Sequence, residues 1–193
     1  MENVNHQILE AVKSNDVGRV IGLIDNGVDI DTIDEQGNTI LILSSKLSDL
    51  NTVKFLLNRC HNTEETNNTG NTPLMYASCN GRKVIAEFLI NEGANIDAKS
   101  MNNYTALIIA SLWGYEENVK LLLEYGANIN VHTTFNNTCL SYNKEIWRRE
   151  YIQELIINKQ PHNIKFFDDN VDILPELKEK YKEIIELSLM RIL

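Results

Sequence analysis

A repeat of 33 residues is the feature of this sequence that most constrains its fold. Threonines open the same short pattern four times, at Thr39, Thr72, Thr105 and Thr138. Three apolar positions follow each threonine in one register: Val53, Leu56 and Leu57; Ala86, Leu89 and Ile90; Val119, Leu122 and Leu123; Ile152, Leu155 and Ile156. The register extends back to Val20, Leu23 and Ile24, which gives five units. Units this short cannot bury an apolar face alone, so the repeat predicts a stack of units.

The start and end of the helices in one unit can be read from local chemistry. Thr72 offers a side-chain oxygen to the free N–H groups of a helix start, and Pro73 needs no N–H at the first helical position. The apolar spacing that follows predicts a second helix. Gly93 and Gly126 are placed to end that helix, because glycine adopts the left-handed conformation at low cost. Each unit is therefore predicted to be a helix-turn-helix followed by a polar turn.

The motif Gly70-Asn71-Thr72-Pro73-Leu74 and the ending Leu122-Leu123-x-x-Gly126-Ala127 resemble the ankyrin repeat family. The resemblance is closest over residues 66–99 and 100–131 and weaker over 32–65. It implies an all-α repeat solenoid with short β-hairpin loops, in which about five 33-residue helix-turn-helix units precede a C-terminal helix.

The ends of the chain depart from the repeat pattern. Residues 1–31 lack the hairpin and are interpreted as an N-terminal capping unit, so the ankyrin-like domain spans 1–160. Residues 132–160 are interpreted as a degenerate capping repeat, because Asn143 replaces the small alanine and Trp147 the inter-helix glycine. Such departures suit a terminal unit, which meets solvent on one side.

Residues 161–193 are predicted to be a loop followed by an amphipathic helix. The helix begins at Pro175, and its apolar positions have helical spacing. We expect it to pack on the last repeat. The alternative is a docking helix, since Leu174-Pro175 faintly resembles the opening of the F-box, which recruits a ubiquitin ligase. The positions on its apolar face are Leu177, Tyr181, Ile184, Ile185, Ser188 and Ile192.

Composition excludes several classes of function. The chain has 18 basic and 27 acidic residues, a net charge of −9, which disfavours nucleic acid and anionic membranes as partners. The 3 cysteines form no disulfide framework, and no leader or membrane-spanning stretch is evident, so a cytoplasmic location is expected. The four histidines are scattered, and no phosphate loop or nucleophile motif occurs. We predict no cofactor, no metal site and no enzymatic activity.

The remaining candidate site is the concave surface that the resemblance implies, where hairpin tips and inner helices would meet a protein or peptide partner. Tyr104, Trp113 and Phe135 are predicted to cluster there, because aromatic side chains carry much of the energy of interfaces. The alternative is that they pack against each other or under the fifth unit. The full set of predicted contact residues is Met101, Tyr104, Leu112, Trp113, Phe135, Glu35, Gln36, Lys46, Asn68 and Asn71, and the fifth unit also offers Thr134, Asn137, Glu145 and Ile146.

Two functions remain open from the sequence. The first is a noncatalytic, monomeric protein-interaction module, acting as a host-directed viral or bacterial effector. The second is a two-ended adaptor whose C-terminal helix recruits a ubiquitin ligase or other machinery. The adaptor requires Tyr181, Ile184 or Ile185 to be accessible.

Overall fold

The computed structural model describes residues 4–47, 49–159, 175–180 and 182. Short helices in pairs make up this part of the chain. Their bounds are α1 Val4–Lys13, α2 Val17–Asp25, α3 Ile40–Leu47, α4 Leu50–Cys60, α5 Pro73–Cys79, α6 Lys83–Asn91, α7 Ala106–Trp113, α8 Glu116–Glu124, a 3₁₀ turn Cys139–Ser141, α9 Lys144–Trp147, α10 Glu150–Lys159 and α11 Pro175–Lys180.

The repeated threonines cap the first helix of units two to four. The Thr72 hydroxyl accepts a hydrogen bond from the Met75 N–H at 3.3 Å, and Thr105 does the same for Ile108 at 3.3 Å. Thr39 accepts from the Ile42 N–H at 3.2 Å. Each oxygen satisfies an N–H that has no partner within the helix, which fixes where the helix begins.

The helices form two layers. The first helices of units one to four, α1, α3, α5 and α7, pack on one another in order and contact each other more extensively than the second helices do. Between the layers lies one continuous apolar core, which includes Ala77, Leu89, Ala110 and Leu122. The predicted all-α solenoid is confirmed, and its interior consists of the apolar positions that repeat every 33 residues.

Polar bonds on the outer layer join neighbouring units. Arg59 in α4 pairs with Asp25 at 2.9 Å, and Lys83 in α6 pairs with Glu117 at 2.8 Å. Both pairs are exposed, so each contributes at most about 1 kcal/mol. The stack is held mainly by its apolar core.

Four polar loops connect the units and end in tight tips at 34–38, 67–71, 100–104 and 133–137. Each tip is closed by a backbone hydrogen bond from its first to its last residue, as in Asn67 N–H to Asn71 O at 3.2 Å. Within the described ranges, β pairing is limited to one isolated bridge between Ile33 and Thr39. One residue in each tip has a positive φ: Gly37, Gly70, Asn103 and Asn136.

The fifth unit departs from the other four in its first helix, which shrinks to the 3₁₀ turn Cys139–Ser141. Asn143 has a φ of 41°, a left-handed conformation that ends the helix where Ala77 and Ala110 continue it. The prediction that Ile146 belongs to the binding surface is wrong, because this side chain is buried. The break turns Ile146 and Trp147 into the core, where they close the apolar interior.

The predicted C-terminal helix is described only over Pro175–Lys180 and Lys182. The Lys180 ammonium bonds the Glu154 carboxylate of α10 at 2.5 Å. The loop from 160 to 174 and the positions Tyr181, Ile184, Ile185, Ser188 and Ile192 lie outside the described residues. Whether they pack on the last repeat stays a prediction, as do the domain boundaries.

Candidate protein-binding face

Neighbouring tips are linked by one backbone hydrogen bond each. The N–H of Asn68 donates to Gln36 O at 3.1 Å, that of Met101 to Thr69 O at 3.0 Å, and that of Thr134 to Asn102 O at 3.1 Å. The bonds recur every 33 residues, so the four tips form one ladder. We call the surface formed by these tips and by the first helices the groove face.

Side chains at the first position of each tip stiffen the loops. The Asn67 Oδ1 accepts from the N–H groups of Thr69 and Asn71, both at 3.0 Å, which closes an Asx turn. Its Nδ2 donates to Asn38 Oδ1 at 2.8 Å and to the Tyr76 hydroxyl at 3.0 Å. Asn67 thus ties its own tip to the preceding unit and to α5.

Asp34, Ser100 and Thr133 hold the other three tips. The Asp34 carboxylate accepts from Gln36 N–H and Asn38 N–H, both at 2.9 Å. Ser100 Oγ accepts from Tyr104 N–H at 3.2 Å. The groove face therefore presents its tip side chains from an ordered backbone, which lowers the entropy lost on binding.

A broad cleft occupies the end of the groove face nearest the N-terminus. Its volume is about 590 Å³, and we call it the N-terminal cleft. Three predicted contact residues, Glu35, Gln36 and Lys46, line it between α1, α3 and the first tip. The other lining residues are His6, Leu9, Lys13, Ile33, Asp34, Leu43 and Leu47.

A narrower cleft of about 190 Å³ lies between α5 and α7, and we call it the central cleft. Asn71 and Trp113, both predicted contact residues, form two of its sides. Its other lining residues are Met75, Tyr76, Cys79 and Ile109. The central cleft thus joins a tip to the C-terminal ends of two first helices.

Four of the predicted apolar contact residues are exposed to solvent. The exposed fractions are 72% for Met101, 43% for Leu112, 65% for Trp113 and 68% for Phe135. Met101 and Phe135 stand on adjacent tips, whereas Leu112 and Trp113 end α7. Large apolar side chains this exposed on a rigid surface are typical of sites that another molecule covers.

Tyr104 differs from the other predicted aromatic residues. Its ring is half-buried and packs against the core, and its hydroxyl lies 3.4 Å from that of Tyr142 in the fifth unit. This hydrogen bond and the burial raise the pKa of Tyr104. Tyr104 therefore joins the fourth and fifth units and offers less surface to a partner than Trp113 or Phe135 does.

Charge is distributed unevenly along the groove face. Lys46 lies in the second unit and Glu145 in the fifth, and the groove-face positions between them are uncharged. The chain as a whole carries −9, so its charges lie elsewhere. The uncharged positions are Asn68, Thr69, Asn71, Tyr76, Cys79, Asn80, Met101, Asn102, Tyr104, Ile109, Leu112 and Trp113.

Sequence reasoning missed several surface and cleft residues. Tyr76 and Ile109 line the central cleft from equivalent positions of α5 and α7, so the 33-residue register could have found them together. Ile33, Val84, Tyr115 and Tyr125 are also exposed. Val84 and Tyr125 belong to the second-helix layer, away from the groove face.

Burial raises the pKa of the Cys60, Cys79 and Cys139 thiols, most strongly for the fully buried Cys139. A thiol held protonated is a poor nucleophile and a poor metal ligand. In the described ranges, no cluster of three or more His, Cys, Asp or Glu side chains is arranged to bind a metal ion. No described helix combines the length and apolar character needed to cross a bilayer.

The paired helices, the tip ladder and the groove face define a solenoid of stacked helical repeats. The family model of ankyrin repeats matches in three copies, over residues 8–100 and 86–133. The chain therefore belongs to the ankyrin repeat family, whose repeats are protein-interaction modules. A search of curated proteins found no match to the chain.

Proposed function

We propose that this protein is a noncatalytic binding module that holds a protein or peptide partner on the groove face, around the fourth and fifth units. The observation that carries the proposal is the exposure of Met101, Trp113 and Phe135 on ordered tips and at the end of a helix. Burying such side chains contributes about 25 cal/mol per Å² of apolar surface. Glu35, Gln36, Lys46, Asn68 and Asn71 extend the same face with polar groups that fix orientation.

The test compares two sets of substitutions in affinity capture from a lysate. The groove variant carries Met101→Ala, Trp113→Ala and Phe135→Ala. The control variant carries Val84→Ala and Tyr125→Ala, which remove exposed apolar side chains from the second-helix layer. We expect the groove variant to lose the captured protein and the control variant to keep it, with circular dichroism showing both to be folded. Equal capture by the intact chain and both variants would contradict the proposal.

Three finer functional assignments stay predictions. A two-ended adaptor that recruits a ubiquitin ligase depends on Tyr181, Ile184 and Ile185, which lie outside the described residues. The role as a host-directed effector and the cytoplasmic location rest on the sequence. A partner captured only by chains that retain residues 161–193 would support the adaptor.

A further inference from the structure

We propose that the central cleft receives an extended, uncharged segment of the partner and seats one of its large apolar side chains between Tyr76, Ile109 and Trp113. The inference rests on the proposed function and adds the chemistry of the partner. It follows from the size of the cleft, the charge pattern around it and the hydrogen-bonding groups on its rim.

The size of the cleft suits a single side chain. Its volume is about 190 Å³, below the roughly 300–1,000 Å³ of sites that enclose a small-molecule ligand. Buried Met75 belongs to its lining, together with half-buried Tyr76 and Ile109 and the exposed ring of Trp113. An apolar side chain placed here would cover the indole of Trp113, which otherwise meets water.

The charge pattern excludes charged side chains from the matching stretch of the partner. Between Lys46 and Glu145 the groove face presents no ionised group to compensate a buried charge. A charge that loses its hydration without a counter-charge is strongly disfavoured. The complementary segment is therefore uncharged across the third and fourth units, and charged residues are accommodated only beyond them.

Amide groups above the cleft match the backbone of an extended segment. Asn68 and Asn102 stand exposed on successive tips, and neither side chain makes a hydrogen bond within the protein. Each side-chain amide carries both a donor and an acceptor, as a peptide group does. An extended backbone lying along the tips can pair with both while its side chain enters the cleft.

The test is selection of a phage-displayed library of random 12-residue peptides on the full chain. The enriched peptides are then synthesised and titrated by fluorescence anisotropy. We expect an uncharged central stretch with one large apolar residue. Cys79→Phe fills the cleft from its rim and should weaken binding at least tenfold, whereas Val84→Phe, on the second-helix layer, should leave it unchanged.

Tryptophan fluorescence gives a second readout on the unmodified chain. The protein has 2 tryptophans, of which Trp113 is exposed and Trp147 is buried. Iodide should quench Trp113, and a bound peptide should protect it. This measurement keeps the test valid if Cys79→Phe fails to fold.

Three results would overturn the inference. They are enriched peptides with charged central residues, equal affinity for Cys79→Phe and the intact chain, and unchanged iodide quenching at saturating peptide. A partner lost by the groove variant in lysate capture would still support the proposed function, so failure of the cleft and failure of the groove face are distinguishable.

Discussion

Asn118 is a buried polar residue without a partner. Its side chain in α8 is 1% exposed, and neither its amide nitrogen nor its amide oxygen makes a hydrogen bond. The equivalent position one unit earlier holds buried Ile85. An unsatisfied buried amide costs about 1–3 kcal/mol, so this residue weakens the fourth unit.

Replacing Asn118 with leucine should therefore stabilise the protein. The two side chains have similar shapes, and the change removes an amide that folding strips of water. We expect Asn118→Leu to raise the free energy of unfolding in urea by about 1–3 kcal/mol. Asn38→Leu is the matched control and should destabilise, because buried Asn38 bonds Asp34 and Asn67. A destabilised Asn118→Leu would show that its amide has a partner in solution.

Glu65 makes stability depend on pH. Burial raises the pKa of its carboxyl, the Asp31 carboxylate raises it further, and a hydrogen bond from Thr39 opposes both. The folded state therefore holds the proton to a higher pH than the unfolded state does. Stability from this group is present below the ordinary value of 4.5 and is lost as the pH rises through the raised pKa.

Glu65→Gln should remove this pH dependence, because glutamine keeps an oxygen for Thr39 and cannot ionise. We expect a higher Tm than the parent at about pH 7 and nearly the same Tm at about pH 4. Thermal unfolding at the two pH values measures the difference. A variant that loses Tm equally at both values would assign Glu65 a purely packing role.

At the scale of elements, the tips carry the fixed geometry of the groove face. Asn67 makes four of the bonds that hold one tip, whereas Ser100, at the equivalent position one unit later, accepts one from Tyr104 N–H. The first tip of this pair should therefore be the more sensitive to substitution.

We expect Asn67→Ala to lower the free energy of unfolding by about 2–4 kcal/mol and Ser100→Ala by about 1 kcal/mol. Both variants are measured by urea denaturation. Hydrogen exchange should show the Asn67→Ala effect first at the N–H groups of Thr69 and Asn71. Equal losses for the two variants would mean that the backbone ladder alone orders the tips.

The elements also show what the sequence can and cannot predict. Thr39, Thr72 and Thr105 mark helix starts because the capping bond is local. The end of the first helix in unit five was not predicted, because it depends on the left-handed backbone of Asn143 and on burial of the residues after it. The half-burial of Tyr104 was missed for a similar reason, since its partner Tyr142 lies 38 residues away.

At the scale of the whole molecule, the fifth unit closes the open end of the stack. Trp147 is completely buried, and its indole N–H donates to the Tyr142 carbonyl at 3.1 Å. Repeat stacks derive their stability from each unit and its interfaces with neighbours. Damage at Trp147 should therefore remain local.

Trp147→Ala should destabilise the fifth unit by about 3–5 kcal/mol, the range for truncating a buried tryptophan. We expect hydrogen-exchange protection to fall over residues 139–159 and to persist in α5 and α7. Trp147→Phe should lose less, because it keeps most of the apolar volume. Loss of protection throughout the stack would show that the units unfold as one.

The cross-unit bonds have a consequence for how the chain is made. Asn67 reaches Asn38 across 29 residues, and Tyr142 reaches Tyr104 across 38. A chain leaving the ribosome can therefore complete each interface once about one further repeat has emerged, without waiting for its far end. The solenoid is thus suited to grow unit by unit during synthesis, and each new tip docks on a finished one.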